Sequence, residues 1–114
     1  MLSNRIVFKS HSKIIGVDFE NIVFCKAENS YTRIYLKNGS SLLISKPIRE
    51  IKKLLPAKFI RCHRSFLINK SEVQSFSNFK DCFIMSSGSK IPVAKSRLSS
   101  ILNAFAGHFA PPLP

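Results

Sequence analysis

Short runs of apolar residues, several of them alternating with polar ones, predict β-strands along most of this chain. In residues 31–36 the odd-numbered side chains are polar or amphipathic and the even-numbered ones are mainly apolar, which is typical of a half-buried strand. Residues 22–27 are rich in β-branched and aromatic side chains and predict a central strand. Further strands are predicted at residues 6–8, 14–17, 41–44, 59–60, 66–68, 73–79, 82–85 and 90–93.

Polar turns separate these runs and indicate that neighbouring strands pair antiparallel. The strongest turn is Asn38-Gly39, because both residues tolerate the positive φ that a type I′ hairpin turn requires. Other turns fall at residues 9–13, 78–81 and 86–89. Pro92 places the last predicted strand at a sheet edge or a strand end, since proline cannot donate to a ladder. The pattern favours a single, mostly β, antiparallel domain.

Two segments change to helical spacing. The first follows Pro47 and stops at Pro56, and the second runs from about residue 96 to residue 106 and stops at Gly107. We expect residues 1–106 to form the domain and residues 107–114 to be a flexible C-terminal tail. The apolar positions expected to face the core are Ile48, Ile51, Leu54 and Leu55 in the first helix, and Leu98, Ile101, Leu102 and Phe105 in the second.

Charge changes the picture from a plain β domain to one with a polyanionic partner. The 114 residues include 18 Lys and Arg against six Asp and Glu, a formal net charge of +12. A field of this sign favours nucleic acid first and an anionic membrane surface second. Because the sequence has no secretory signal and no apolar run near the ~20 residues of a spanning helix, we expect a cytoplasmic protein without membrane insertion.

The cysteines and acidic residues offer little chemistry. The three cysteines, Cys25, Cys62 and Cys82, lack metal-binding spacing and are expected to be reduced thiols, so we predict no metal and no cofactor. No phosphate loop, nucleophile elbow or carboxylate pair is present in the sequence, which favours a protein that is not an enzyme. One redox alternative stays open: Arg61, His63 and Arg64 could lower the pKa of the Cys62 thiol.

The most distinctive stretch is a compact basic cluster between two apolar segments. Arg61, His63, Arg64 and Ser65 lie between the strand formers of residues 59–60 and those of residues 66–68. Arginine matches phosphate or the O6/N7 edge of guanine, and His and Ser add shorter hydrogen bonds. A basic surface turn is the plain alternative. The basic outer face of the first helix is expected to be solvated; it comprises Arg49, Lys52 and Lys53.

The order of these motifs resembles the LytTR DNA-binding domains of bacterial transcription regulators. The residues that carry the resemblance are 22–32, Asn38-Gly39, the helix after Ser45, the run Phe59-Ile60-Arg61-Cys62-His63-Arg64-Ser65-Phe66-Leu67-Ile68-Asn69, and Gly88 with Ile91-Pro92-Val93. The resemblance implies an elongated domain of ten short strands in three antiparallel sheets with two short helices, whose loops enter successive major grooves. Relatives often have a serine where this chain has Ala94, which affects where the second helix starts.

Carried over by position, the resemblance implies three DNA-facing segments. The site residues are Asn29, Tyr31 and Arg33 in the first, His63 and Arg64 in the second, and Lys95, Ser96 and Arg97 in the third. Two structural alternatives stay open: Tyr31 could pack on Arg33 or Tyr35, and His63 could bond the turn backbone.

The resulting hypothesis is sequence-specific binding of double-stranded DNA by a transcription regulator, either stand-alone or the DNA-binding part of a response regulator. The resemblance also suggests binding by two copies, as a weak homodimer on DNA. A β module for single-stranded RNA or DNA is the alternative, and it would need exposed aromatic rings for base stacking.

Overall fold

A computed structural model describes residues 4–10 and 12–105, which form an elongated domain with principal extents of 56 × 32 × 24 Å. Ten strands in three antiparallel sheets and two α-helices lie in the described part of the chain, so the predicted fold class is confirmed. The strands are β1 Arg5–Ser10, β2 Lys13–Asp18, β3 Ile22–Glu28, β4 Tyr31–Leu36, β5 Ser41–Ile44, β6 Phe59–His63, β7 Phe66–Asn69, β8 Val73–Ser77, β9 Cys82–Met85 and β10 Lys90–Pro92. The helices are α1 Ile48–Leu54 and α2 Leu98–Ala104, and short 3-10 turns span Phe19–Asn21, Lys70–Glu72 and Lys95–Arg97.

The central element is a five-stranded sheet with the strand order β5-β4-β3-β7-β6. One face packs against α1 and the β1–β2 hairpin, where Phe8, Ile51 and Phe59 are buried together. The other face packs against α2 and the sheet β10-β9-β8, where Phe83 and Ile101 are buried. Because both faces of the central strands are covered, β3 reads as a nearly continuous apolar run rather than an alternating one.

The β4–β5 hairpin forms where Asn38-Gly39 predicts it, but the predicted type I′ geometry is wrong. Gly39 has φ +89°, whereas Asn38 is not among the described non-glycine residues with positive φ. The Gly39 N–H donates to the Leu36 carbonyl at 3.0 Å, and the Leu36 N–H donates to the Ser40 carbonyl at 2.9 Å. The Asn38 side chain accepts the Ser40 N–H at 2.9 Å, a local bond that favours a turn with positive φ at the glycine alone.

Both helices form, with two differences from their predicted apolar faces. Leu54 and Leu102 are exposed by 47% and 36%, because the short helices turn these positions away from the sheet that buries Ile51 and Ile101. The second helix starts later than expected: Ala94 provides no side-chain cap, and residues 95–97 form a 3-10 turn before α2 begins. β8 also ends at Ser77, two residues before its predicted end at residue 79.

The predicted C-terminal tail and the last residue of the predicted domain lie outside the described residues. None of the described helices is long and apolar enough to cross a membrane.

Candidate nucleic-acid interface

The register of the central sheet brings two turns to the same edge. β3 and β7 are antiparallel neighbours, with Lys26 opposite Phe66, so the chain leaves β3 beside the point where it begins β7. The Ala27 N–H donates to the Ser65 carbonyl across this junction at 2.8 Å. The β3–β4 turn and the β6–β7 turn therefore lie side by side.

A third segment joins them from the other sheet. β10 leads into the 3-10 turn Lys95–Arg97, and the Ala94 N–H donates to the Cys62 carbonyl at the end of β6 at 2.9 Å. Lys95 and Ser96 are exposed. We call the combined surface of residues 28–31, 63–65 and 95–97 the loop edge. The structure thus brings together the three segments that the resemblance implies.

In the first segment, the tight turn exposes Asn29 and Tyr31. Asn29 adopts a left-handed backbone with φ 57°, which asparagine tolerates better than most residues. The Tyr31 side chain is 45% exposed. Tyr35 instead stacks on Phe24 with ring centroids 4.3 Å apart, so the second tyrosine of this strand belongs to the packed face.

Arg33 is held by a forked ion pair within this segment. Its Nε donates to Glu28 Oε2 at 2.7 Å and its Nη2 to Glu28 Oε1 at 3.4 Å. Its Nη1 donates to Ser41 Oγ at 3.2 Å. The hydrogen bond from Arg33 lowers the pKa of Glu28, which keeps the carboxylate charged and the pair intact at neutral pH. Arg33 therefore uses its guanidinium donors to brace the turn. These are the same donors that it would need to contact a base edge.

In the second segment, His63 supports the turn while Arg64 projects from it. His63 Nδ1 accepts the Ser65 N–H at 3.1 Å, and its ring meets Phe66 edge-on with centroids 5.7 Å apart. His63 therefore forms the hydrogen bond to the turn backbone through Nδ1, and its Nε2 does not take part in that bond. The Arg64 side chain is exposed and makes no hydrogen bond with the described residues.

Arg61 braces the same turn from below, although it is not among the site residues implied by the resemblance. Its Nε donates to the His63 carbonyl at 3.1 Å, and its Nη2 donates to the Arg64 carbonyl. Burial lowers the pKa of the Arg61 guanidinium, and the nearby charge of Arg97 lowers it further. Arg97 Nη1 in turn donates to the Arg61 carbonyl at 3.3 Å, so Arg97 also bonds inside the protein.

The loop edge is basic, and one flanking cation was missed by sequence reasoning. Lys46 is exposed two residues after the end of β5, and its carbonyl accepts from Thr32 Oγ1 at 2.8 Å beside Tyr31. The available signal was the β4–β5 hairpin itself, since an antiparallel return brings the end of β5 back to the start of β4. By contrast, the acidic residues Glu20 and Glu72 lie away from the loop edge. They line, with Lys37, a cavity of about 140 Å³ at the opposite end of the sheet.

Cys62 lacks the lowered thiol pKa on which the redox alternative depends. Cys62 is fully buried in the core, whereas its neighbours Arg61 and His63 are half-buried. Burial raises the pKa of the Cys62 thiol to about 12, and the charges of Arg97 and Arg61 offset only part of this effect. The thiol contacts the Pro92 carbonyl at 3.6 Å instead of facing solvent. Among the described residues, no cluster of three His, Cys, Asp or Glu side chains could hold a metal ion.

An elongated β domain that gathers basic turns along one edge has the form of a nucleic-acid-binding domain without a recognition helix. The sequence model of the LytTr DNA-binding domain matches residues 12–106, and the chain belongs to this family. The family is a DNA-binding domain of transcription regulators.

Named relatives and a solved structure agree with this assignment. The chain is 31% identical over 96 residues to the sensory transduction protein LytT of Bacillus subtilis, covering 82% of this chain and 40% of that protein. It is 35% identical over 87 residues to the transcriptional regulatory protein LytR of Staphylococcus aureus, covering 74% of this chain and 35% of that protein. A LytTr DNA-binding domain from Bacillus cereus superposes with a TM-score of 0.73 at 25% identity, covering 92% of this chain and 98% of that one. The chain thus spans two fifths or less of the two named relatives.

Proposed function

We propose that this chain binds double-stranded DNA sequence-specifically by inserting the turns of the loop edge into the major groove, as the DNA-binding part of a bacterial transcription regulator. The observation that carries the proposal is the convergence of three exposed polar turns on one edge of the sheet. Because genomic DNA is the proposed partner, the proposed place of action is the bacterial cytoplasm. The proposal assigns the chain a binding role and no catalytic step.

The dimensions of the two central turns suit a major groove. The β3–β4 and β6–β7 turns are separated by two strand spacings in the order β4-β3-β7-β6, or about 10 Å at a spacing of about 4.8 Å. A B-DNA major groove is about 12 Å wide. Side chains from both turns therefore fit one groove, and the third segment extends the contact beyond it.

We assign these side chains three roles: readers contact bases, a second group contacts phosphates, and braces hold the turns in place. Arg64 is the proposed reader of a guanine edge, because it is exposed and its donors are not engaged inside the protein. Asn29 and Tyr31 flank it, and His63 Nε2 offers a further contact. Lys95 and Ser96 are proposed phosphate contacts at the β6 end of the loop edge, and Lys46, beside Tyr31, is a proposed phosphate contact at the other end. Arg33 and Arg97 are proposed to act mainly as braces, since their donors bond within the protein.

The single-strand alternative draws on one specific observation. Phe79, at the tip of the β8–β9 turn, is 93% exposed and could stack on a base. A stacking platform needs several rings along a continuous path, however, and Tyr35 and Phe66 are engaged with Phe24. Duplex DNA remains the better supported ligand.

Selection of bound duplexes from a random library tests the proposal. A recovered consensus, bound more tightly than a scrambled duplex of equal length, is the expected result. The selected duplex should also outcompete its own single strands at physiological salt. Recovery of random sequences, or stronger binding to single strands, would refute sequence-specific duplex recognition. Titration of the selected site by sedimentation would further show whether two copies bind, as the proposed weak dimer on DNA requires.

A further inference from the structure

We infer that Arg61 is a positioning residue for DNA readout: its guanidinium sets the shape of the turn that presents His63 and Arg64. The inference deepens the proposed function and rests on it. It concerns a residue that the sequence argument treated only as one cation of a basic cluster.

The first support is the forked contact beneath the turn. One planar guanidinium donates to two successive carbonyls, that of His63 from Nε at 3.1 Å and that of Arg64 from Nη2. A rigid fork bonded at both tips restrains the peptide between those carbonyls in orientation as well as position. That peptide carries the Cα of Arg64, so its orientation determines where the Arg64 side chain points.

The second support is a break in the strand ladder at the same place. The β6–β7 pairing runs regularly from Phe59 to Arg61 and then shifts register before His63 pairs with Phe66. Such a shift leaves one residue out of the regular pairing and turns the following side chains to a new direction. The Arg61 side chain bonds the main chain just past the shift. The Arg61 side chain therefore restrains the main chain at the point where strand pairing restrains it less.

The third support is the link from Arg61 to the third segment of the loop edge. The Arg61 carbonyl accepts from Arg97 Nη1 at 3.3 Å, and the next carbonyl, that of Cys62, accepts the Ala94 N–H at 2.9 Å. The side chain of Arg61 thus holds the second segment while its main chain holds the third. A shift at Arg61 would change the relative position of both DNA-facing segments.

Direct phosphate contact by Arg61 is the competing role, and the geometry disfavours it. Arg61 is half-buried, with Nε and Nη2 already donating to carbonyls. Arg64, three residues later, is exposed and has its donors available. The geometry therefore fits Arg61 as the residue that holds the turn and Arg64 as the residue that contacts bases.

The test is Arg61→Lys, which keeps the positive charge but cannot form the fork. Its matched control is Arg49→Lys, the same substitution at an exposed position of α1. Both variants are measured on the selected duplex and on a scrambled duplex at two salt concentrations. Amide hydrogen exchange of Ser65 in the free chain gives a readout that does not involve DNA, with the Ile51 amide of α1 as the internal reference.

For Arg61→Lys we expect the ratio of selected to scrambled affinity to fall by about three- to tenfold, a fraction of what one bidentate base contact provides. The slope of log affinity against log salt should stay unchanged, because no charge is lost. The Ser65 amide should exchange faster while Ile51 does not. Arg49→Lys should match the wild-type chain in every measurement.

Three results would overturn the inference. Unchanged discrimination in Arg61→Lys would show that the fork does not position the readers. Equal losses on both duplexes would indicate a direct phosphate contact made by the guanidinium. Faster exchange of both Ser65 and Ile51 would indicate general loss of stability. If the wild-type chain itself shows no preference for a selected duplex, the proposed function fails first, whatever the exchange data show.

Discussion

At the scale of single residues, Arg64 and Lys95 are two exposed cations with different expected roles. Arg64 projects from a turn braced by Arg61 below and by the Ser65 N–H bond beside it. Arg64→Ala should therefore cost about 1–3 kcal/mol on the selected duplex and much less on a scrambled one. Titration of both duplexes by fluorescence anisotropy measures this difference. Equal losses on the two duplexes would remove Arg64 as a base reader.

Lys95→Ala is the matched contrast. Lys95 is a flexible point charge on the exposed 3-10 turn after β10, a position suited to phosphate. Its loss should weaken binding to both duplexes by similar factors and reduce the salt slope by about one unit. A loss confined to the selected duplex would instead assign Lys95 to base readout.

The buried thiols predict a specific alkaline sensitivity. Burial raises the pKa of Cys25 and of Cys62 from 9.0 to about 12 in the folded chain. With the folded pKa above the unfolded one, the stability that each thiol contributes is complete below pH 9 and is lost as the pH rises toward 12. Urea unfolding of the wild type and Cys62→Ala at about pH 8 and pH 10.5 should show a smaller pH-dependent loss in the variant. Equal losses would mean that Cys62 ionises alike in both states.

At the scale of elements, Asn69 ties two strands of the central sheet together. Its buried side chain donates from Nδ2 to the Ile22 carbonyl at 2.8 Å and accepts the Ser71 N–H at Oδ1 at 3.0 Å. Asn69→Ala should lower the free energy of unfolding by about 1–3 kcal/mol, because the buried Ile22 carbonyl and the part-buried Ser71 N–H both lose their partner.

The control for Asn69 is Asn103→Ala on the exposed surface of α2. This change should stay within about 0.5 kcal/mol of the wild type. Urea unfolding of the three proteins decides the matter. A cost for Asn69→Ala no larger than that of its control would show that the two bonds contribute little.

At the scale of the whole molecule, the net charge of +12 predicts strongly salt-dependent DNA binding. Log affinity should fall linearly with log salt, with a slope of about −0.9 for each phosphate contacted. Lys53→Gln is the control, because Lys53 lies on α1, outside the three segments of the loop edge. Its slope should match that of the wild type. A wild-type slope near zero would contradict phosphate contact altogether.

The sequence by itself determined the fold class and most elements. Alternation in residues 31–36 and helical spacing after Pro47 are local properties, and local patterns set which faces of a strand or helix can be buried. The family resemblance added the sheet count and the positions of the segments that are proposed to face DNA. The same local patterns placed Leu54 and Leu102 in the core, although both side chains are exposed. Burial of a helix position depends on how far the sheet packed against the helix extends.

Only the tertiary structure decided which candidate site residues bond within the protein and which face outward. Glu28, Arg33 and Ser41 come from three neighbouring strand segments, and their contact depends on register that spacing does not reveal. Arg61 and Arg97 are 36 positions apart in the chain and meet because β10 delivers the 3-10 turn beside β6. The sequence could count the cations of the loop edge, but which of them bond inward and which face outward is set by long-range packing.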